Sequence, residues 1–426
     1  MNLDWHRLRA VVLESDDWGL CAWVPDDQAH RVLAGQPAFR TEAGLRYGRS
    51  TLEHARDVER LAATLLEFRG GDGLPPVWQA NTIVAAPDWS RLVPPLFDVA
   101  ELPLTGLDAL PERWERPGML EAVRKAGQQG VWWPELHGLH HLPATAWLAA
   151  LRRGQHDARA AHEQQSPICE AVEAGGEYDV AEPREVRAKN LREAVARFER
   201  LFGRTPRSFC PPDYRFDDWL EAEAESVGLA TLQGKPEQGS GRLVALRRRW
   251  LQLSFPHRAG ARFYLPPRIA FEPRGDAAPG SRLGAEAALR AARESWKRGQ
   301  PAILSTHRLN YAHLDDAWSD AGRSALRDLL ARLAADGAVF LTDFEVRELA
   351  ERAWAMRPLG SRGVLLRHYG VPLEPLRFAV PEGVTSAVLH APVNGGHGRD
   401  GEIRVDGGMA EARLQLGEHV IEWVAA

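Results

Sequence analysis

The fold turns on one stretch, Val11-Val12-Leu13-Glu14-Ser15-Asp16-Asp17-Trp18-Gly19. A short apolar run, β-branched at its start, ends in two adjacent carboxylates and a glycine. Such a run, bounded by a turn residue, predicts a buried strand of a parallel sheet. Two acidic side chains at its tip repel each other in a dry site unless a cation holds one of them. An Asx-type turn at a strand end would use the same residues without any chemistry. The rest of the chain decides between these readings.

Outward from this strand the pattern repeats. Leu52, Val58, Leu61, Leu65 and Leu66 recur at helical spacing and predict a helix from Thr51 to Phe68. Pro76 to Ala85 predicts a second strand, with Asn81 inside it, and Gly130 to Leu136 a third that leads to His137. Residues 87–117, rich in Pro and Trp, predict a long loop, and 143–180 a mobile helical stretch in which polar Arg152 to Gln165 resembles a flap. An apolar stripe from Arg184 to Phe202, stopped by Gly203, predicts a helix. Further strands are predicted at Arg207 to Cys210, before Pro211-Pro212-Asp213-Tyr214, at Leu229 to Leu232, at Pro301 to Thr306, before His307, and at Ala338 to Thr342. Residues 233–283 carry no readable period. Alternation of this kind over about 350 residues implies parallel strands with crossover helices.

Past Arg357 the character changes to short strand patterns separated by Gly, Pro and Asn-Gly turns, with no helical pattern between them. Two domains are therefore expected, residues 1–355 as the α/β unit and 356–426 as a small β-sandwich-like accessory domain. A chain ending near Arg357 is then expected to keep any metal the first unit binds and some of its activity.

Composition bounds the partners. The 426 residues are 44% hydrophobic and 26% charged, ordinary for a globular protein. The net charge of −5 leaves no electrostatic footprint for nucleic acid. The run Arg247-Arg248-Arg249 is short and reads as a solvated face. Three widely spaced cysteines, Cys21, Cys169 and Cys210, suggest neither a disulfide framework nor a thiolate metal site. No stretch approaches the roughly 18 apolar residues of a membrane helix. The N-terminus runs straight into the first strand, so a cytoplasmic chain is expected, with self-association left open.

Four polar clusters follow strand-like runs: Asp16-Asp17, His137 to His141, Pro211 to Tyr214, and His307. In a parallel α/β barrel all strand C-termini share one face, where the active site forms, so these clusters would converge. His137 and His141 stand at i and i+4, which on a helical turn lets them share a metal, with His140 facing elsewhere.

The set Ser15-Asp16-Asp17, His137-x-x-x-His141, Cys210-Pro211-Pro212 and Ser305-Thr306-His307 resembles the polysaccharide deacetylase family (NodB-like, carbohydrate esterase 4) over about residues 8–345. The resemblance implies an irregular (β/α) barrel of seven to eight units with the small C-terminal all-β domain appended. It implies one divalent metal, zinc or cobalt, held by Asp17, His137 and His141. It also makes Asp16 the general base and His307 the general acid, in a hydrolase acting on an N-acetylated amino sugar. Trp18, Asn81, Pro212, Asp213, Tyr214, Arg308, Asn310 and Tyr311 are expected to contact this carbohydrate substrate. The family's arginine before the prolines, which tunes the aspartate, is replaced by Cys210. Arg207 or Arg215 would have to reach across in its place. A binding protein that has lost catalysis, and a mononuclear iron enzyme using two His and one carboxylate, are the alternatives.

Overall fold

The computed structural model describes residues 3–173, 176–215, 217–234, 242–273, 283–360, 363–370, 375–393, 396–412, 414 and 416–425. The strands of its first sheet are β1 (Ala10–Trp18), β2 (Trp78–Ile83), β3 (Trp132–Gly138), β4 (Ser208–Phe209), β5 (Thr231–Leu232), β6 (His257–Ala259), β7 (Arg262–Tyr264), β8 (Arg268–Ala270), β9 (Ala302–His307) and β10 (Val339–Leu341). They lie in the order β8-β9-β1-β2-β3-β4-β5-β7-β6, with β10 also paired to β1. Every pairing is parallel except β6 with β7.

Alternation along β1 sets the layers. Val11 and Leu13 face outward onto Val58, Leu61 and Leu65 of the helix Ala55–Leu66 and onto Leu326 and Leu330 of the helix Asp316–Ala335. Ala10 and Val12 face the concave side with Phe263, Ile303 and Leu341. Val11, Val12 and Leu13 are at most 3% exposed, and each such burial contributes about 1.5–3 kcal/mol. Glu14 and Asp16 continue the concave row, so the interior passes from apolar at its base to charged at its mouth.

The sheet is a curled half-barrel, where an irregular barrel of seven to eight units was expected. Among the described residues no pairing joins β8 to the β6–β7 end. Between β7 and β8 the chain runs through Pro266-Pro267, which carry no N–H to pair. The helix expected at 51–68 spans Ala55–Leu66 and opens with a capping box of His54 and Asp57. Arg184–Phe202 ends at Gly203 with φ 66, the usual left-handed stop. The segment expected as a flap is instead a buttress of short helices, Ala144–Arg152, His156–Glu163 and Glu170–Glu173. Trp147, Leu148, Leu151 and Ala158 from it are sealed in an apolar cluster with Phe39 and Leu52.

From Trp354–Pro358 to Gly417–Ala425 the chain forms a separate seven-stranded sheet, antiparallel throughout. The sheet surrounds Leu366, Phe378, Ala387, Ile403 and Ile421. The Asn394-Gly395 turn lies outside the described residues. The second sheet is tied to the first unit by charge: Arg367 reaches Glu345, on the helix Asp343–Arg352, at 2.5 Å and Asp72, in a turn, at 2.8 Å, all at most 1% exposed. None of the described helices is long and apolar enough to cross a membrane.

Candidate active site

A bulge at the tip of β1 builds the site. The register against β2 shifts between Ser15 and Trp18, and Asp17 takes a left-handed backbone, φ 73. A bulge re-aims a side chain, so Asp17 joins Asp16 over the cavity instead of facing away as strict alternation dictates. The turn closes at Gly19 (φ 76), where a Cβ would sit 2.3 Å from the Ile83 carbonyl oxygen. Glu53 accepts the Gly19 N–H at 3.0 Å and, on its other oxygen, the Arg308 guanidinium at 3.0 Å.

Asp17 Oδ1 lies 3.4 Å from His137 Nε2 and 3.7 Å from His141 Nε2. Ligand atoms on a tetrahedron of about 2.1 Å bonds to one cation stand about 3.4 Å apart, so the trio fits a single metal. His137 Nδ1 faces the Cys210 carbonyl at 2.7 Å. That acceptor assigns the ring proton to Nδ1 and leaves the Nε2 lone pair to the cavity. His141 (φ 68) lies past the strand end, in a loop clamped by Glu177, which accepts the N–H groups of Leu139, His140 and His141 at 2.9–3.1 Å. The two histidines therefore converge through a strand end and a turn, not on the helical face their spacing suggested. His140 turns away, its Nδ1 accepting the Leu142 N–H at 3.1 Å. Asp16, His137 and Cys210 form a second close trio. Burial pushes the Cys210 thiol well up, which keeps it protonated and makes it a poor ligand.

Asp16 is 1% exposed and saturated with donors. Its Oδ1 accepts from Asn81 Nδ2 at 2.7 Å and Arg268 Nη2 at 2.9 Å. Its Oδ2 accepts from Arg268 Nη1 at 2.9 Å and the Tyr214 hydroxyl at 3.0 Å. Burial pushes the carboxyl up, but Arg268, His137 and His307 outweigh burial and hold it well below the usual carboxylate range.

Arg268 corrects the sequence reading. Arg215 pairs with Asp179, and Arg207 pairs with Glu348 at 3.3 Å, so neither reaches the aspartate. Arg268 arrives from β8, forks onto Asp16, and sets its Nε 2.5 Å from Glu14 Oε2. Its Nη1 lies 3.3 Å from Cys210 Sγ. A small thiol at 210 leaves room for a guanidinium that enters from another strand.

His307 ends β9 and stands opposite Asp16 in register, with Nε2 3.9 Å from Asp16 Oδ2. Its Nδ1 bonds Glu272, which also accepts from Asn310 at 2.8 Å and faces Arg46 at 3.0 Å. Burial works against the imidazolium, but Glu272, Asp17 and Asp16 outweigh it and raise its pKa to about 9. The ring is therefore charged near neutral pH.

A cavity of about 440 Å³ opens over these groups, lined also by Trp23, Arg46, Tyr47, Asp213, Tyr214 and Arg215. That volume suits a small ligand or one end of a larger one. Trp23 stacks on Tyr47 with centroids 5.9 Å apart. Of the residues expected to touch substrate, Asp213 and Tyr214 line the cavity. Trp18, Asn81, Pro212, Arg308, Asn310 and Tyr311 are buried behind its wall. Trp18 bonds Ser15 at 2.9 Å, Asn81 holds Asp16, Arg308 holds Glu53, Asn310 holds Glu272, and Tyr311 packs on Trp78 at 5.0 Å. Pro212 packs where a Cβ at Gly138 would fall, 3.0 Å away. Five of the nine non-glycine residues with positive φ among those described, Asp17, Trp23, His141, Asp213 and Tyr214, line this one cavity. Such strain costs on the order of 1–3 kcal/mol per residue and clusters at functional sites.

No family model matches the sequence, and no curated protein does. Among solved structures, a Mycobacterium smegmatis protein described as a polysaccharide deacetylase aligns over 81% of this chain and 90% of its own, at 14% identity and TM-score 0.40. A 4-alpha-glucanotransferase from Thermococcus litoralis aligns over 79% of this chain and 40% of its own, at 9% identity and TM-score 0.41. A Bacteroides thetaiotaomicron protein described as an alpha-L-fucosidase aligns over 99% of this chain and 95% of its own, at 10% identity and TM-score 0.35. Likeness of this degree carries no functional argument, which rests on the geometry above.

Proposed function

We propose that this chain is a metal-dependent hydrolase that removes an acetyl group from an N-acetylated amino sugar. The observation that carries the reading is the pairing of one metal-ready trio, Asp17, His137 and His141, with an ionised carboxylate and a charged imidazole over the same cavity. A divalent cation in that trio, zinc or cobalt by the family resemblance, would supply Lewis acidity and acidify an attacking water. Asp16 takes that water's proton as it attacks the acyl carbon. Asn81 and Arg268 hold Asp16 in orientation, and the Tyr214 hydroxyl, which can rotate off Oδ2, frees the lone pair that takes this proton. His307, oriented by Glu272, gives its proton to the departing amine. Trp23 and Tyr47 offer an aromatic wall for a sugar face.

A carbohydrate-binding protein without catalysis would be favoured by the absence of an arginine beside Asp16. Arg268 supplies that charge and removes the ground for it. The iron reading uses the same trio but leaves Asp16 and His307 without a role.

Metal analysis of the purified protein, with acetate release from a panel of N-acetylated amino sugars, tests the proposal. His137→Ala is expected to lose stoichiometric metal and acetate release while keeping its circular dichroism. Unchanged metal content in that variant would sink the ligand assignment. Iron as the resident metal, with no acetate released by the native chain, would sink the hydrolase reading.

A further inference from the structure

The basic run that reads as a solvated face belongs to an unusual helix. Arg242–Leu253, with the sequence RLVALRRRWLQL, contains no acidic residue. Leu243, Leu246, Trp250 and Leu253 are 83%, 65%, 66% and 44% exposed. They account for four of the twelve large apolar side chains exposed among the described residues, the other eight being spread over the rest of the chain. At 3.6 residues per turn these four fall within an arc of about 80°. Arg247 borders one side of that arc, and Arg242 and Arg249 border the other, all three exposed. The helix is tied down at its end, where Gln300 Nε2 donates to the Leu253 carbonyl at 2.6 Å.

Isolated exposed apolar residues need no explanation, but a contiguous stripe rimmed by cations does. We propose that this helix docks the protein on an anionic lipid surface, with Leu243, Leu246, Trp250 and Leu253 entering the interface and the flanking arginines meeting the headgroups. The composition is that of an interfacial helix, with Leu and Trp on one face and Arg beside it. Charge complementarity selects this occupant. The whole chain is acidic, at −5, so attraction to an anionic surface is local to this face and orients the molecule. A second copy is disfavoured, because a two-fold contact would set the same arginines against each other. The inference is independent of the hydrolase reading.

The test is co-sedimentation of the full chain with vesicles of phosphatidylcholine alone and of phosphatidylcholine with phosphatidylglycerol. The native chain is expected to sediment with the anionic vesicles only, and less at high salt. Leu246→Glu with Trp250→Glu should lower the partition coefficient by at least about tenfold. Arg247→Gln with Arg249→Gln should lower it about fivefold per arginine and flatten the salt dependence. All four side chains are exposed, so melting curves should match the native one. Leu246→Ser is the milder variant if the glutamates disturb folding. Equal binding to neutral vesicles, or binding indifferent to these substitutions, overturns the proposal. So does a native dimer without vesicle binding that Leu246→Glu with Trp250→Glu converts to monomer, which would give the face to a second copy. Capture of an acidic protein without vesicle binding would overturn it equally.

Discussion

Asp16→Asn is expected to lower turnover by about 10²–10⁴-fold, the contribution of a positioned general base, while the protein keeps its metal. The amide preserves shape and one acceptor for Asn81, Tyr214 or Arg268 but cannot take a proton. Metal is retained because Asp17, not Asp16, stands 3.4 Å from His137 Nε2. If Asp16→Asn released the metal while Asp17→Asn kept it, the two roles would be reversed. The pH profile separates the partners further. Asp16 is held well below its usual range, so it stays ionised across neutral pH and sets no acidic limb there. His307, raised to about 9 by Glu272, Asp17 and Asp16 against burial, loses its proton as pH rises, so turnover should fall on the alkaline side. A cation bound at Asp17 cancels one of the charges that raise His307 and moves that limb to lower pH. An acidic limb that vanished in Asp16→Asn would show that the aspartate titrates after all.

The parts of this site legible in the sequence were those where a strand end carries its own chemistry. Asp16, Asp17, His137 and His307 each follow an apolar run, and a parallel sheet gathers such ends on one face. Of the supports, Asn81 and Tyr214 read as substrate contacts, while Arg268 and Glu272 were not legible, because they come from a segment without periodicity. Arg268 and Glu272 bracket the run Arg-Ile-Ala-Phe-Glu, inside the stretch that showed no pattern. The strand there is three residues long, too short for alternation to register. Glu53 and Glu177 act through backbone N–H groups of distant turns, which no local pattern records. Burial misled in the other direction at Arg308, Asn310 and Tyr311. Polar residues after a catalytic histidine look like substrate contacts, yet here the 3₁₀ turn Arg308–Asn310 folds them inward to hold Glu53 and Glu272. The open edge of the sheet was not legible because a three-residue strand behind a proline pair gives no strand signal to count.

Truncation after Arg357 is expected to leave an insoluble or unfolded chain, against the independence that the composition shift suggests. The cause is Arg367, which belongs to the second sheet but is paired within the first unit. It forks onto Glu345 and Asp72 and donates to the Phe340 carbonyl at 3.2 Å, 0% exposed. Burial pushes the Glu345 carboxyl up, but Arg367 and Arg357 outweigh it and hold it below the ordinary glutamate value. Removing the cation leaves buried Asp72 without its counter-charge and Glu345 with Arg357 alone at 3.3 Å, which costs about 3–5 kcal/mol. Arg367→Met in the full chain isolates this effect from the loss of the sheet, and should lower the urea midpoint by a corresponding amount at neutral pH. Arg367→Lys should recover part of it, because an ammonium keeps the charge but cannot fork onto both partners. The sign with pH is fixed. A carboxylate whose folded pKa is depressed stabilises above its unfolded value and loses that contribution as the solution is acidified through the folded one. The deficit of Arg367→Met should therefore be full at neutral pH and shrink in acid. A truncated chain that unfolds cooperatively with unchanged metal content would show that the ion cluster only ornaments the junction, and that the half-barrel closes its own base.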